Sequence, residues 1–409
     1  MIKLKLIGFA VLAVFLLSTE TVYSQRFVVL MKESFEQSVK KTGQDNPNRL
    51  RKAQDNQQRR NQKIDKVNGF ARNKGIEVPR GKAFVDGTVG FVANLSMSQV
   101  SELQSDPDVA GVFPDFTIQS TRPQMQSRPR MQGDPIREAE FYDPNSKSSC
   151  AVPLIGGSQT SRSNSSIWII DSGVDGSHVD LNVNSNPLLS VSFVENELNP
   201  LIDQIGHGTH CAGLAAGKGA GNPGVTGMSS GAEIISVKIL DSNGIGTWSQ
   251  LILALDHVAK YGVKGDVVLM SLGGGNECNN DPVLRDLITS LGNDRIFVVM
   301  SAGNDGMMSS QNLPGCIDGQ NIVTVGALDF TCDGLQGLAG YSNTGIPSID
   351  FVAPGSNMIS TFPNNQYQVM SGTSMAAALV AGLIHSTGSL PRTIGSTQAN
   401  GITYPFAGR

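Results

Sequence analysis

The stretch Ser371-Gly-Thr-Ser-Met-Ala-Ala-Ala-Leu-Val-Ala-Gly382 decides how this chain folds. It begins as a tight turn of glycine, threonine and serine, and it continues as a run of small and helix-forming residues. A turn that leads into a helix in this way exposes a hydroxyl group at the helix N-terminus, where backbone N–H groups favour developing negative charge. Ser374 stands at that point. Because a serine hydroxyl is a weak nucleophile, the pattern predicts catalysis only if a base lies nearby.

Two earlier stretches supply a base and a group that can orient it. Ile167-Trp-Ile-Ile-Asp171 is an apolar strand that ends in a carboxylate and leads into a glycine turn. Gly206-His-Gly-Thr-His-Cys-Ala-Gly213 places His207 between glycines at the start of a small-residue helix. The three groups therefore follow each other in the order aspartate, histidine, serine. The nearby residues His178 and Asp180 are rival candidates for the base and for the carboxylate, and we interpret both as turn residues.

The motifs Asp171-Ser-Gly, His207-Gly-Thr-His and Gly372-Thr-Ser-Met-Ala resemble those of subtilisin-like serine proteases, nearest to the proteinase K-like branch. Their chain order is the subtilisin order, which differs from that of chymotrypsins and α/β-hydrolases. The likeness covers residues 150–382. It implies a secreted serine endopeptidase that forms an acyl-enzyme. Ser374 would be the nucleophile, the histidine the general base, and the aspartate the group that orients the imidazole.

The same resemblance implies sites for the oxyanion and for the peptide. Asn304, in Ala302-Gly-Asn, matches the family asparagine that stabilises the tetrahedral intermediate together with the backbone N–H of Ser374. Two segments are expected to pair with the substrate as added strands. Their residues are Ser271, Leu272 and Gly273 in one, and Gly244 and Gly246 in the other. Trp248 resembles an aromatic wall of the S4 subsite; a tryptophan buried in the core is the alternative.

From residue 149 onward the chain alternates between strand and helix patterns. Apolar segments such as Ile296-Phe-Val-Val-Met300 are typical of parallel strands buried on both faces. The alternation predicts an α/β fold, a doubly wound and mainly parallel sheet flanked by helices, with sites beyond the carboxyl ends of the strands. The predicted strands are 166–171, 233–240, 266–271, 295–301 and 321–327. The predicted helices are 207–217, 249–261, 282–291 and 374–385.

The first residues predict export. Residues 1–24 combine a positive start, an apolar run that is short for a bilayer span, and a small-residue cleavage pattern at Ser24, as in a secretory signal peptide. A membrane anchor is the alternative. We therefore expect an extracellular protein in which cysteines are able to pair.

Residues 25–119 predict a separate α+β unit with strands at 26–31, 87–95 and 106–115. Ser96 and Gln99 predict a capping box at the start of a helix over 96–103, with Leu95 and Val100 as a hydrophobic staple. The unit resembles the prodomain of subtilisin-like proteases, which acts as folding chaperone and intramolecular inhibitor; a permanent accessory domain is the alternative. In that family the tail of the prodomain lies in the active-site cleft, and here residues 120–148 would be the linker that contains the maturation site.

The stretch 46–66 of this unit is polar and basic, with little apolar periodicity. We interpret it as a solvated helix or an insertion. An anion-binding patch is the less favoured interpretation, because Asp55 and Asp65 interrupt the positive charge.

Two features depart from the family pattern. Ala378 and Leu379 stand where the family usually has proline and histidine, two positions that fix the nucleophile helix without taking part in the chemistry. The sequence also ends soon after the nucleophile helix, where many relatives add two further helices. After the predicted catalytic domain, 149–386, the remaining residues 387–409 are rich in Gly, Ser, Thr and Pro and are predicted to be a loop. Both features favour the alternative of a catalytically impaired homologue that acts as a binding protein. A lipase is disfavoured, because Ala376 stands where its Gly-x-Ser-x-Gly motif needs glycine.

Five cysteines leave at least one unpaired. Cys211 resembles the buried free cysteine of proteinase K-like enzymes; the disfavoured alternatives are a thiol nucleophile and a metal site with His207 and His210. The other four cysteines allow three pairings. Our working choice is Cys316 with Cys332 and Cys150 with Cys278.

Resemblance to proteinase K also implies a structural calcium ion. It would be held by the carboxylate of Asp350 and by backbone carbonyls of Gln320 and Ile322, because Ca²⁺ prefers hard oxygen ligands. The alternative is an exposed aspartate at the start of a strand.

The composition fits a compact enzyme with many turns, since the 409 residues include 46 glycines and only 16% charged residues. A net charge of -4 and the lack of a long charged tail give no sign of a nucleic-acid partner. We expect protein or peptide substrates, no stable membrane span and a monomer.

Overall fold

The computed structural model describes residues 25–32, 48–120, 141–162, 164–274, 281–346 and 348–409. The predicted signal peptide, most of the predicted linker and Cys278 lie outside these residues. The described chain forms a small N-terminal unit and a larger α/β unit.

The N-terminal unit is a four-stranded antiparallel sheet in the strand order β2-β3-β1-β4, with the helices Gln57–Asn73 and Met97–Gln104 on one face. The predicted capping box is present, because Ser96 accepts a hydrogen bond from the Gln99 N–H and the Gln99 side chain accepts one from the Ser96 N–H. The elements are β1 (Gln25–Met31), α1 (Arg49–Asp55), α2 (Gln57–Asn73), β2 (Ala83–Phe84), β3 (Gly90–Leu95), α3 (Met97–Gln104), β4 (Val109–Pro114) and β5 (Thr117–Ser120).

Both faces of this small sheet are buried. Phe27 and Val29 of β1 pack with residues of α2 and α3. Val28 and Leu30, on the opposite face, belong to the hydrophobic core of the larger unit. Side chains alternate between the two faces of a strand, so the continuous apolar run of β1 requires a partner on each side. The larger unit is that second partner.

The larger unit is built on a nine-strand path, β10-β13-β9-β15-β17-β18-β20-β24-β23. Its strands are β6 (Tyr142–Asp143), β7 (Ser148–Ser149), β8 (Gln159–Thr160), β9 (Ser166–Asp171), β10 (Asn182–Val183), β11 (Val191–Ser192), β12 (Ser229–Ser230), β13 (Glu233–Lys238), β14 (Ile245–Thr247), β15 (Val267–Met270), β16 (Leu272–Gly273), β17 (Phe297–Ser301), β18 (Ile322–Thr331), β19 (Gly334–Leu338), β20 (Phe351–Pro354), β21 (Met358–Phe362), β22 (Gln366–Met370), β23 (Arg392–Ala399) and β24 (Ile402–Gly408). Its helices are α4 (Ala151–Leu154), α5 (His207–Ala216), α6 (Trp248–Tyr261), α7 (Pro282–Asn293), a short 3₁₀ turn (Ser309–Gln311) and α8 (Thr373–Thr387).

The path is parallel from β10 to β24, which confirms the predicted doubly wound α/β fold. In β9, Ile167 and Ile169 pack on the side of α5 and α8. Trp168 and Ile170 pack on the side of α6 and α7. This alternation explains why the strand is apolar throughout, because helices cover the sheet on both faces.

The prediction of a loop over 387–409 is wrong. β23 and β24 form an antiparallel hairpin, and β24 joins the sheet beside β20, with Val352 opposite Phe406. The hairpin turns at Asn400 and Gly401, which both have positive φ (53° and 76°). Asn-Gly is a favoured pair for such a two-residue turn. The low apolar content of residues 387–409 gave no strand pattern in the sequence. The Asn-Gly pair is the sequence signal that could have predicted the hairpin.

The working choice of disulfide bonds is also wrong. Cys150 is bonded to Cys332, which lies 182 residues later in the chain. This bond excludes both chosen pairs. Cys211 is free and buried, as predicted.

Candidate active site

The predicted site residues meet at one edge of the sheet. Asp171 is the last residue of β9, Ser271 directly follows β15, and Asn304 follows β17. These strands are neighbours and run in parallel, so their carboxyl ends lie together. The N-terminus of α8, with Ser374, reaches the same edge, because the Ser271 hydroxyl donates to the Ser374 carbonyl at 3.2 Å.

Asp171 and His207 form a close pair. The imidazole Nδ1 lies 2.8 Å from Oδ1 and 2.9 Å from Oδ2 of Asp171, and both side chains are buried. Glycines make this approach possible. Gly206 caps α5 with a φ of 82°, and a Cβ at Gly208 would stand 2.1 Å from the Gly173 carbonyl. A carboxylate at Nδ1 selects the tautomer in which Nε2 carries no proton.

The pKa of His207 is raised. Burial alone would lower it, but the charge of Asp171, its hydrogen bond and the charge of Asp203 outweigh burial. Sequence analysis did not single out Asp203. Its buried carboxylate accepts hydrogen bonds from Ser172 Oγ (2.9 Å), Gly206 N–H (2.8 Å) and Thr209 N–H (2.9 Å). It therefore ties the turn after Asp171 to the first turn of α5. A carboxylate just before a helix is a sequence signal that could have identified it.

Lys238 is a second buried charge that sequence analysis missed. Its ammonium group donates to the carbonyls of Ser172 (2.6 Å) and Leu240 (2.7 Å) and pairs with Glu197 at 2.9 Å. It sits opposite Asp171 in the pairing of β13 with β9. A lysine inside an apolar strand gives no sequence sign of its partners.

Ser374 is the second residue of α8 and is fully buried. Its hydroxyl donates to the Ser271 carbonyl at 3.4 Å. Among the described residues, His207 Nε2 has no hydrogen-bond partner. The serine hydroxyl is therefore not hydrogen-bonded to Nε2 in this arrangement. Such loose geometry is common in sites that hold no substrate at the reacting centre.

The Asn304 side chain is held in one orientation. Its Oδ1 accepts from the Thr373 N–H at 2.8 Å and from the Thr373 hydroxyl at 2.9 Å. A Cβ at Gly372 would stand 3.0 Å from its Nδ2, so the amide NH₂ lies beside the turn that leads to Ser374. An amide fixed through its oxygen presents a donor, as an oxyanion requires. Sequence analysis did not single out Thr373 for this role.

The predicted peptide-binding segments hold a strand of this chain. β5 lies between β14 and β16 in a three-stranded antiparallel sheet. Ile118 pairs with Gly246, and Gln119 pairs with Gly273. Ser120 pairs with Leu272, and its N–H donates to the Gly244 carbonyl at 3.2 Å. Leu272, Gly273, Gly244 and Gly246, which were predicted to bind the substrate, therefore lie beside β5. Ser271 directly precedes β16, one of the two strands that pair with β5.

Trp248 is buried beside the same strand, with 1% of its surface exposed. Its ring stacks on Phe116 (centroids 5.2 Å apart) and meets the edge of Phe113 at 5.9 Å. Ile118 belongs to the same apolar cluster. These three neighbours come from the N-terminal unit and its tail, so they contribute to the burial of a tryptophan on the cleft wall.

Cys211 lies close to Asp171 and His207, but it does not fit the alternative roles of a thiol nucleophile or of a metal ligand with His207 and His210. Among the described residues, Asp171, His207 and Cys211 form a group whose potential ligand atoms are within 4.8 Å of one another. Burial, followed by the charge of Asp171, raises the pKa of the Cys211 thiol well above its usual value. A protonated thiol is a poor nucleophile. His210, the second histidine of the alternative metal site, is not a member of this group. His210 hydrogen-bonds through Nε2 to the Met358 carbonyl at 3.0 Å and braces β21.

His178 and Asp180, the rival candidates, hold loops in place, in agreement with their interpretation as turn residues. His178 Nε2 contacts the Gln366 carbonyl at 3.1 Å. Asp180 accepts from the N–H groups of Gly221 and Val225, each at 2.7 Å, and from the Tyr367 hydroxyl. Neither belongs to the Asp171–His207 pair.

The predicted calcium ligands lie where β18 and β20 begin. The Asp350 carboxylate accepts from the Thr324 N–H at 2.8 Å. Burial, together with the nearby charge of Asp318, raises the pKa of Asp350 to about 6. Its negative charge is therefore poorly balanced, which suits a cation. Ile322 is the first residue of β18, and the Gln320 carbonyl lies against α7, where a Cβ at Gly292 would stand 2.2 Å away.

Comparisons with known proteins identify the family of this chain. The model of the subtilase family matches residues 162–387. The chain belongs to the subtilase family. It is 37% identical over 217 residues to a thermophilic serine proteinase of Bacillus sp. (strain AK1). These 217 residues are 53% of this chain and 50% of that protein. It is 32% identical over 310 residues to subtilisin amylosacchariticus of Bacillus subtilis subsp. amylosacchariticus, covering 76% and 72%.

A third relative is thermitase of Thermoactinomyces vulgaris, 34% identical over 239 residues, which cover 58% of this chain and 79% of that protein. The protein is thus a subtilisin-like serine protease by family. In the part of the chain that the structure describes, no helix has the length and apolar character needed to cross a membrane.

Proposed function

We propose that this subtilase is a secreted serine endopeptidase of the proteinase K-like branch, made as a precursor that processes itself. The observation that carries the proposal is β5, an extended segment of the chain that pairs on both sides with β14 and β16. Its last residue, Ser120, lies opposite Leu272, and the carbonyl of the neighbouring Ser271 accepts a hydrogen bond from the Ser374 hydroxyl. A cleft that holds one peptide strand in this way is suited to hold a substrate strand. The free, buried Cys211 supports the assignment to this branch.

In the proposed reaction, Ser374 Oγ attacks the carbonyl carbon of the scissile peptide bond. His207 Nε2 accepts the hydroxyl proton and then delivers it to the leaving amine, whose departure leaves an acyl-enzyme. A water molecule then attacks the acyl-enzyme in the same way, which releases the carboxylic acid and restores Ser374. The two contacts from Asp171 to Nδ1 support this role, because they hold the tautomer and stabilise the imidazolium.

The oxyanion would form between Asn304 Nδ2 and the backbone N–H of Ser374. Thr373 supports this arrangement, since both of its donors point to Asn304 Oδ1 and the amide nitrogen lies beside Gly372, in the turn that leads to Ser374. The N-terminus of α8 adds a favourable field for negative charge.

The N-terminal unit would act as intramolecular inhibitor until it leaves. Its tail fills the cleft, and Phe113 and Phe116 cover Trp248. In the pairing of β5 with β16, Ser120 lies opposite Leu272, and the carbonyl of the preceding Ser271 touches the nucleophile. We therefore expect the maturation cut directly beyond Ser120, inside the predicted linker.

A calcium ion would bind at the Asp350 carboxylate with help from the carbonyls of Gln320 and Ile322. The raised pKa of Asp350 supports this, because the ion would balance a buried negative charge. Its role would be to stabilise the loops at the amino ends of β18 and β20, away from the chemistry.

Replacing the nucleophile tests the proposal. Ser374→Ala is expected to leave the exported chain uncut between its two units, whereas the wild-type chain separates into two polypeptides on a denaturing gel. Ser371→Ala is the matched control, because this hydroxyl contacts the Asn357 N–H and lies outside the proposed chemistry. Normal cutting of purified Ser374→Ala protein would contradict self-processing.

A further inference from the structure

The basic stretch that sequence analysis treated as solvated makes buried contacts with the larger unit. Arg49, at the start of α1, places its guanidinium on the carboxylate of Asp266 and donates from Nη2 to Oδ1 at 2.8 Å. The same nitrogen donates to Ser166 Oγ at 2.7 Å, and the group lies 5.7 Å above the centre of the Trp168 ring. The Arg49 side chain is 11% exposed and that of Asp266 is 0% exposed.

The larger unit prepares this pocket with its own donors. Asp266 also accepts hydrogen bonds from the Ser166 N–H (3.0 Å), Trp168 Nε1 (2.9 Å) and the Val263 N–H (2.9 Å). These donors fix both carboxylate oxygens, so that a planar, two-pronged cation fits better than a lysine ammonium. The aromatic face of Trp168 adds a cation–π contact.

The pocket lies far from the nucleophile. Asp266 directly precedes β15, whereas Ser271 follows the same strand and touches Ser374. The four residues of β15 separate the two sites by roughly 13–17 Å, at about 3.3 Å per residue. Arg49 therefore binds at the amino edge of the sheet, and the tail strand β5 binds at the carboxyl edge.

Other contacts of α1 point the same way. Lys52 donates to the carbonyls of Ala259 (3.2 Å) and Gly262 (2.6 Å) at the end of α6, where a positive charge is favoured. Ala53 is buried in the core cluster of the larger unit. Helix α1 thus docks through an apolar residue flanked by two cations.

We propose that α1, through Arg49 in the Asp266 pocket, is a second anchor that keeps the N-terminal unit bound after its tail has been cut. The inference rests on the proposed self-processing. A cut beyond Ser120 leaves the contacts of α1 intact, together with those of the sheet face that holds Val28 and Leu30 and those of β5. Each further attachment point that is linked to the others slows the dissociation of the whole unit. The Arg49 anchor therefore lengthens the time for which the cut unit stays bound.

The test compares full-length wild-type protein with the variants Arg49→Ala, Arg49→Lys and Arg51→Ala. Arg51→Ala is the control, because Arg51 is a neighbouring cation on α1 that is exposed. A denaturing gel reports the cut, co-elution in size-exclusion chromatography reports the bound unit, and hydrolysis of a fluorogenic peptide reports release. Loss of one partner of a buried charge pair is expected to shorten the life of the cut complex by about thirtyfold or more. Arg49→Lys is expected to lie between Arg49→Ala and wild type, and Arg51→Ala to match wild type.

The outcomes separate the two proposals. If the wild-type unit stays bound after the cut and Arg49→Ala stays bound as long as Arg51→Ala, the second anchor is wrong while self-processing stands. If the wild-type unit leaves as soon as it is cut, both the inhibitory role and the anchor are wrong. If Arg49→Ala does not fold, Arg49→Lys decides, because it keeps the charge and loses the two-pronged contact; a wild-type lifetime in this variant overturns the anchor.

Discussion

Truncating Ile118 tests whether β5 binds as a substrate would. Ile118 is 3% exposed, pairs with Gly246 and shares an apolar cluster with Trp248 and Leu272. Ile118→Ala removes three carbon atoms from this cluster, and at about 0.8 kcal/mol for each carbon the loss is about 2.4 kcal/mol. That free energy corresponds to about 50-fold weaker binding. Ile118→Val removes one carbon and should cost about fourfold.

Peptides measure this effect without the N-terminal unit. Internally quenched peptides that copy residues 117–122, with isoleucine, valine or alanine at the position of Ile118, are offered to the matured enzyme, and kcat/KM is compared. A change of the Gln119 position to alanine is the matched control, because Gln119 is exposed on the same strand. We expect the series to fall about fourfold and then about 50-fold, with the control near unity. Equal values for the isoleucine and alanine peptides would refute the idea that β5 marks the substrate path.

Three further predictions concern the site and the calcium ion. Asn304→Ala should lower kcat by about 10²–10³ with little change in KM, a magnitude taken from the loss of such a donor in subtilisin, and an unchanged kcat would remove Asn304 from the oxyanion site. Asp203→Asn should move the acidic limb of the kcat/KM profile to lower pH, because the charge of Asp203 helps to raise the pKa of the His207 base, which must be neutral to act; a limb that stays or moves to higher pH would contradict this. Because its pKa is raised to about 6, Asp350 should stabilise the folded state less and less as pH rises through that value. Asp350→Asn should therefore raise Tm in EDTA at pH 8 and lose the calcium-induced stabilisation of about 2.7 kcal/mol at a hundredfold excess over Kd, whereas a full calcium response in the variant would place the ion elsewhere.

The sequence predicted best what depends on short patterns. The strand that ends at Asp171, the helix that begins at His207 and the capping box at Ser96 are each determined by neighbouring residues, and the structure contains them. Because parallel strands end at one edge, these local patterns also predicted that the site residues would meet there.

The sequence failed where a contact joins distant parts of the chain. Nothing in the spacing of Cys150 and Cys332 indicates their bond, because loop closure over 182 residues leaves no local trace. The pocket for Arg49 depends on Asp266, 217 residues away, so a docking helix was taken for a solvated one. The terminal hairpin failed for another reason, since its first strand, β23, is mostly exposed and lacks the apolar alternation that marks a strand.

The orientation of Ser374 is a third case. Sequence patterns place the serine at the start of α8 but do not specify its side-chain rotamer. In the structure the hydroxyl turns to the Ser271 carbonyl instead of His207. Whether the imidazole activates this hydroxyl is therefore a question about the working enzyme.

Labelling with a fluorophosphonate probe answers that question most directly. The probe forms a covalent bond with a serine hydroxyl that a neighbouring base has activated. The matured protein, separated from its N-terminal unit, is treated with the probe and digested, and the modified residue is identified by mass spectrometry. The account predicts one adduct, on Ser374, that disappears in His207→Ala protein and is unaffected by prior alkylation of thiols. An adduct on Cys211, or no adduct on Ser374 in protein that hydrolyses peptides, would contradict it.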